Sequence, residues 1–132
     1  MDLIEQLAAE RAALDAELMD AATDIAGALQ SLEEAEAHSD TCRAALKLTD
    51  AELFLKASED GVLSGSNEKT RTAQYEVWRM VSPEWRAAQA AAMEADNAVS
   101  KLKVDLQIAS NALSIAKHRI DALAAWMRLM SR

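Results

Sequence analysis

His38 and Cys42 lie four residues apart. On a helix they share one face, which is half of a tetrahedral zinc site. A second pair is needed and none exists, because the only other histidine is His118. The pair therefore reads as a surface histidine and a small buried thiol. Glu33, Glu34 and Glu36 form a carboxylate run. Di-iron bundles require Glu-x-x-His on two helices, which this chain lacks, so the run reads as a solvated face. Gly61 and Gly65 are not followed by the Gly-Lys-Ser/Thr of a phosphate loop. His118-Arg119 with Asp121 is ordinary surface charge, and nothing places a Ser, a His and an Asp as a triad. No catalytic residue, metal ligand or cofactor is expected.

A different chemistry gathers between residues 56 and 86. Lys56, Lys69, Arg71, Arg79 and Arg86 alternate there with Tyr75, Trp78 and Trp85. Basic and aromatic side chains together hold single-stranded nucleic acid by phosphate contact and stacking. Glu59, Asp60, Glu68, Glu76 and Glu84 nearly cancel that charge. Nucleic acid is thus disfavoured. The aromatic residues are expected to form a local cluster that locks this region, with a protein-docking surface as the second reading.

The elements that carry these residues follow from composition. Among 132 residues are 29 Ala, 3 Gly and 1 Pro; hydrophobic residues make up 51% and aromatic ones only 4%. So few chain-breakers leave little room for hairpins, a barrel or a βαβ series, and so few large side chains cannot fill a thick core. Long helices with a thin apolar seam remain. Gly61, Gly65 and Pro83 all fall between residues 60 and 84, and Gly27 is the single exception. The chain is read as one domain, 1–132: a first long helix (1–58), a loop and short helix at a tip (59–82), and a second long helix (83–131).

The second helix is patterned most clearly. Trp85, Ala88, Ala92, Ala95, Val99, Leu102, Leu106, Ala109, Leu113, Ala116, Ile120, Leu123, Met127 and Met130 follow one another at alternating spacings of three and four. That is a heptad seam. In the first helix Leu3, Leu14 and Ile25 lie eleven apart, as do Leu7, Leu18 and Leu29. An 11-residue period predicts a nearly straight course. Less cleanly, the stripe continues through Leu32, Ala35, Cys42, Leu46 and Leu53. Residues 1–60 carry 15 acidic and 4 basic side chains, and residues 61–132 carry 7 and 10. Opposite fields favour folding one helix back on the other, although exposed pairs contribute only ~0–1 kcal/mol each. In that arrangement His118 lies near Asp15, far from His38.

At the tip, Gly61 fits a helix C-cap that needs positive φ. Asn67 (or Ser66) fits an N-cap for a short helix from Glu68 to Val81. Ser82 and Pro83 fit the N-cap and first position of the next helix.

The second helix also carries a further apolar stripe: Val104, Ile108, Ala112, Ile115, Ala122, Trp126 and Leu129. A two-helix hairpin covers one seam. Self-association is therefore expected through Val104, Ile108, Ile115, Ala122, Trp126 and Leu129. Two hairpins would form a four-helix bundle, a dimer before a tetramer. The fold class is all-α: a long antiparallel helical hairpin with a short helix at the tip.

The stretch Gly65-Ser66-Asn67-Glu68-Lys69-Thr70-Arg71-Thr72-Ala73-Gln74, followed by an Ala-rich heptad helix, resembles a group of small bacteriophage proteins with a Gly-Lys-Asn-Ala-x-x-Arg-x-x-Gln-like turn between two long helices. The likeness covers residues of about 60–130. Asn67, Arg71 and Gln74 agree with it, while Ser66 and Glu68 depart from it. Such proteins are mostly of unassigned function and are often encoded near phage recombination genes. The resemblance implies a phage or prophage origin and singles out Asn67, Arg71 and Gln74. Read from the residues alone, Asn67 caps a helix, and Arg71 and Gln74 tie the tip to the arms.

The functional expectation is a non-enzymatic coiled-coil protein that binds itself and an unidentified host or phage protein. Its tip contact would comprise Asn67, Arg71, Gln74, Tyr75, Trp78 and Arg79. A second expectation is an accessory of phage nucleic-acid metabolism that binds DNA ends, a recombinase or a host nuclease. A third is an inhibitor of a host defence protein. DNA mimicry is disfavoured, because alanine dilutes the acids of the first helix. One cysteine, an acidic start and the lack of a long apolar run point to a bacterial cytoplasm and away from a membrane.

Overall fold

The computed structural model describes residues 2–131. They form three helices and no strand: α1 (Leu3–Glu59), α2 (Glu68–Arg79) and α3 (Pro83–Met130). Five of the six boundaries have a local cause. The Asp2 carboxylate accepts from the Glu5 amide at 2.7 Å and caps the start of α1. Gly61 leaves α1 with φ of +72°, a left-handed conformation that side chains resist. The Asn67 side chain accepts from the Thr70 amide at 2.8 Å and starts α2. α2 stops at Arg79, two residues short of the expected Val81. The residue before Pro83 is pushed out of the helical region, so the chain turns at Met80–Val81 and the Ser82 amide donates to the Arg79 carbonyl at 2.9 Å. The Ser82 hydroxyl then accepts from the Trp85 amide and caps α3, with Pro83 in its first turn.

Packing divides the chain into two compact units, Met1–Glu33 with Ser100–Arg132, and Glu34–Val99. In each, α1 and α3 run antiparallel, as a hairpin requires. In the first unit Leu14, Ile120 and Leu123 are buried, with Leu7, Leu18 and Met127 packed on them. Arg119 reaches Glu17 at 3.6 Å across the pair. In the second unit, Ala57, Trp85, Ala92 and Ala95 are buried. The Ser39 hydroxyl, itself buried, donates to the Asp96 carboxylate at 2.5 Å, and the Arg43 guanidinium donates to the same oxygen at 2.8 Å.

Every predicted seam residue of α3 except Met130 is buried or half-buried. The 11-residue reading of α1 is corrected. Its shielded positions are Leu7, Arg11, Leu14, Leu18, Ala21, Ile25, Ala28 and Leu32 in the first unit, then Ala35, Ser39, Cys42, Leu46, Thr49, Leu53 and Ala57 in the second. Their spacings are three and four, a period near 3.5. Leu3 and Leu29, which the longer period placed inside, are 54% and 50% exposed. The cause is the partner: a heptad seam on α3 can be followed only by a heptad line on α1, even where that line offers Ala21, Ala28 or Ser39 instead of leucine.

Leu14 and Leu29 distinguish the two periods. Leu14→Ala should cost about 2–4 kcal/mol, because it opens a void among Ile120 and Leu123. Leu29→Ala should stay within about 0.5 kcal/mol. Urea denaturation of the two variants measures the difference, and equal losses would restore the 11-residue period.

Candidate docking surfaces

The tip is built around Asp50, on the last third of α1. Its carboxylate accepts from the Tyr75 hydroxyl at 2.7 Å and from Arg79 Nη1 at 3.1 Å. The Asp50 carbonyl also lies 2.9 Å from that hydroxyl. Tyr75 is 7% exposed, edge-on to Phe54 with centroids 5.4 Å apart and tilted to Trp78 at 6.4 Å. The Arg79 guanidinium sits over two rings, 5.4 Å from Tyr75 and 4.7 Å from Trp85. Arg79 Nε and Trp85 Nε1 are buried there without a hydrogen-bond partner among the described residues, so ring contacts and the Asp50 pair hold the cluster. Burial first, then the Asp50 carboxylate, push the Tyr75 phenol up to about 12.

The expected aromatic cluster is present, with Arg79 bridging Trp85 to Tyr75. Asp50 and Phe54, which complete it, carry no signal in the sequence. Of the residues expected at a tip contact, Tyr75 is buried and Arg79 is half-buried, both held by Asp50. Outward from them stand Val77, Met80 and Val81, all at least 60% exposed. Trp78 is half-buried and lines a shallow groove with Val62, Ala73 and Val77.

Asn67 caps α2, while Arg71 and Gln74 act on the loop before it. Gln74 Oε1 accepts from the Gly65 amide at 2.9 Å, and Gln74 Nε2 donates to the Ser64 hydroxyl. Arg71 Nη1 donates to the Gly65 carbonyl at 3.2 Å. The expectation that Arg71 and Gln74 tie the tip to the arms is corrected: they bind α2 to its own loop, because Gly65 comes back against the first turn of α2. A Cβ on Gly65 would lie 2.5 Å from Thr70 Cγ2. That close approach, and not a positive φ, calls for glycine here.

On α3, Val104, Ile108, Ile115, Trp126 and Leu129 are each between 58% and 65% exposed, and Ala122 is exposed with them. Beside them, Leu3, Leu7, Ala122 and Trp126 line an apolar groove of about 510 Å³ edged by Glu10 and Arg119. His38 Nε2 and Cys42 Sγ are 3.6 Å apart on one face of α1. Among the described residues no group of three or more His, Cys, Asp or Glu is placed to hold a metal. Among these residues, no helix is long and apolar enough to cross a membrane. No protein-family model matches the chain. No curated protein matches it, and no solved structure does.

Two outcomes follow for the tip. The folded state holds Tyr75 neutral at a value above the usual 10. Its contribution is complete below pH 10 and is lost as pH rises from 10 to about 12. Chemical denaturation across that window should show the wild type losing stability relative to Tyr75→Phe. Gly65→Ala should cost about 1–3 kcal/mol, because the loop must move off Thr70 and release its bonds to Arg71 and Gln74. Thermal melts check it.

Proposed function

We propose that this chain is a non-enzymatic helical interaction protein of phage or prophage origin, which self-associates through the outer stripe of α3 and binds another protein at its tip. The observation that carries the reading is the stripe itself. Ile108, Ile115, Ala122 and Leu129 repeat every seven residues and are exposed along their whole length, while the seam of the same helix is covered. Five large side chains about 60% exposed leave on the order of 500 Å² of apolar surface, as large as the biggest patch on an ordinary monomer. Two copies would bury about 1,000 Å², where specific interfaces begin. The turn carrying Asn67, Arg71 and Gln74 supports the phage origin, and exposed Val77, Met80 and Val81 support the tip as the second surface. Glu68 and Glu76 flank Lys69 on one face of the tip, which favours a protein over nucleic acid as the occupant.

Light scattering at tens of micromolar should give a dimer. Ile108→Asp with Ile115→Asp should halve the mass and leave the helical signal intact. A wild-type monomer would remove the self-association half of the proposal. Val77→Glu with Val81→Glu should abolish capture of a partner from a bacterial lysate without changing mass or melting temperature; unaltered capture would move the docking site off the tip.

A further inference from the structure

We propose that the two copies meet with their α3 helices antiparallel and crossing near Ala112. This rests on the self-association reading above and adds its orientation. The occupant of the stripe is a helix, because the apolar positions repeat every seven residues and only a helical partner follows that period over several turns. A second copy supplies such a helix with a matching surface, as a two-fold interface requires.

Charge sets the direction. Lys101 stands on the seven-residue line that continues through Ile108 and Ile115. Asp105 and Arg119 stand on the neighbouring line, with Ala112 and Trp126. Parallel helices in register would set Lys101, Asp105 and Arg119 each against its own copy, like against like in all three places. Antiparallel helices reverse this. Asp105 and Arg119 are each seven residues from Ala112, so a crossing there brings Asp105 of one copy to Arg119 of the other, twice. It also brings Lys101 within a turn of Trp126, where an ammonium can lie over the exposed indole. Both members of the charge pair can respond. Asp105 makes no ion pair or hydrogen bond among the described residues. Arg119 touches Glu17 only at 3.6 Å, with both side chains more than half exposed, and its remaining N–H groups are free to donate. The small side chain at Ala112 lets the two backbones approach where they cross.

Cysteine cross-linking in the full chain, with Cys42→Ala as parent, tests the orientation. With the crossing near Ala112, two Lys101 positions lie roughly 35 Å apart along the axis, whereas Lys101 and Ala125 are neighbours. Both are exposed, so neither substitution disturbs the seam. Mild oxidation of a mixture of Lys101→Cys and Ala125→Cys should give at least tenfold more covalent dimer than either variant alone. Covalent dimer from Lys101→Cys alone would establish parallel helices and overturn the inference while leaving self-association standing. A dimer by light scattering that cross-links in none of the three samples would overturn it too, by placing the interface elsewhere. A monomeric parent would take down both the inference and the reading beneath it.

Discussion

Contact between α1 and α3 is shallow, and that shallowness governs the rest of the molecule. Alanine fills many positions on both sides of the seam, including Ala21, Ala28, Ala92, Ala95 and Ala116. Each removes little apolar area from water, at about 25 cal/mol per Å², so the contact has to be long. This is why helices of 57 and 48 residues are needed where a leucine-rich seam would suffice with fewer. Large apolar residues also stand on the outward face of α3, where Ile108, Ile115 and Leu129 are exposed.

The part of this arrangement that could be read from sequence was the part in which one helix declares its own period. α3 carries Val99, Leu102, Leu106, Ala109, Leu113, Ala116, Ile120 and Leu123 at unbroken three-and-four spacing, and its inner face follows that line. α1 misleads because its leucines are not all inside. Leu3 and Leu29 complete an attractive 11-residue repeat, whereas Ser39 and Ala28 occupy the seam. A helix that mixes large and small residues on both faces reveals its buried line only beside its partner. Most helix ends, that of α2 excepted, were legible for the opposite reason. Gly61, Asn67, Ser82 and Pro83 act through their own backbone and their immediate neighbours.

At the tip, the aromatic cluster was legible and its anchor was not. Asp50 lies 25 residues from Tyr75 and 29 from Arg79, a pairing that no local pattern announces. One carboxylate receives both side chains, and the guanidinium fills the space between two rings. The polar atoms of Tyr75 and Arg79 thus turn inward, and Val77 on α2 and Met80 just after it face the outside. Tyr75 and Arg79 therefore pack beneath the exposed apolar residues of the tip.

Ser39 and Asp96 bear on how the two long helices find their phase. A track of small, similar side chains fits almost as well after a slip of seven residues, so alanine alone is a poor vernier. The buried Ser39 hydroxyl meets a carboxylate in one alignment only; one heptad away it would face Gln89 or Lys103. Beside the Arg43 pair and the Asp50 cluster, this polar contact removes rungs from a ladder of near-equivalent mispaired forms that alanine alone would leave open.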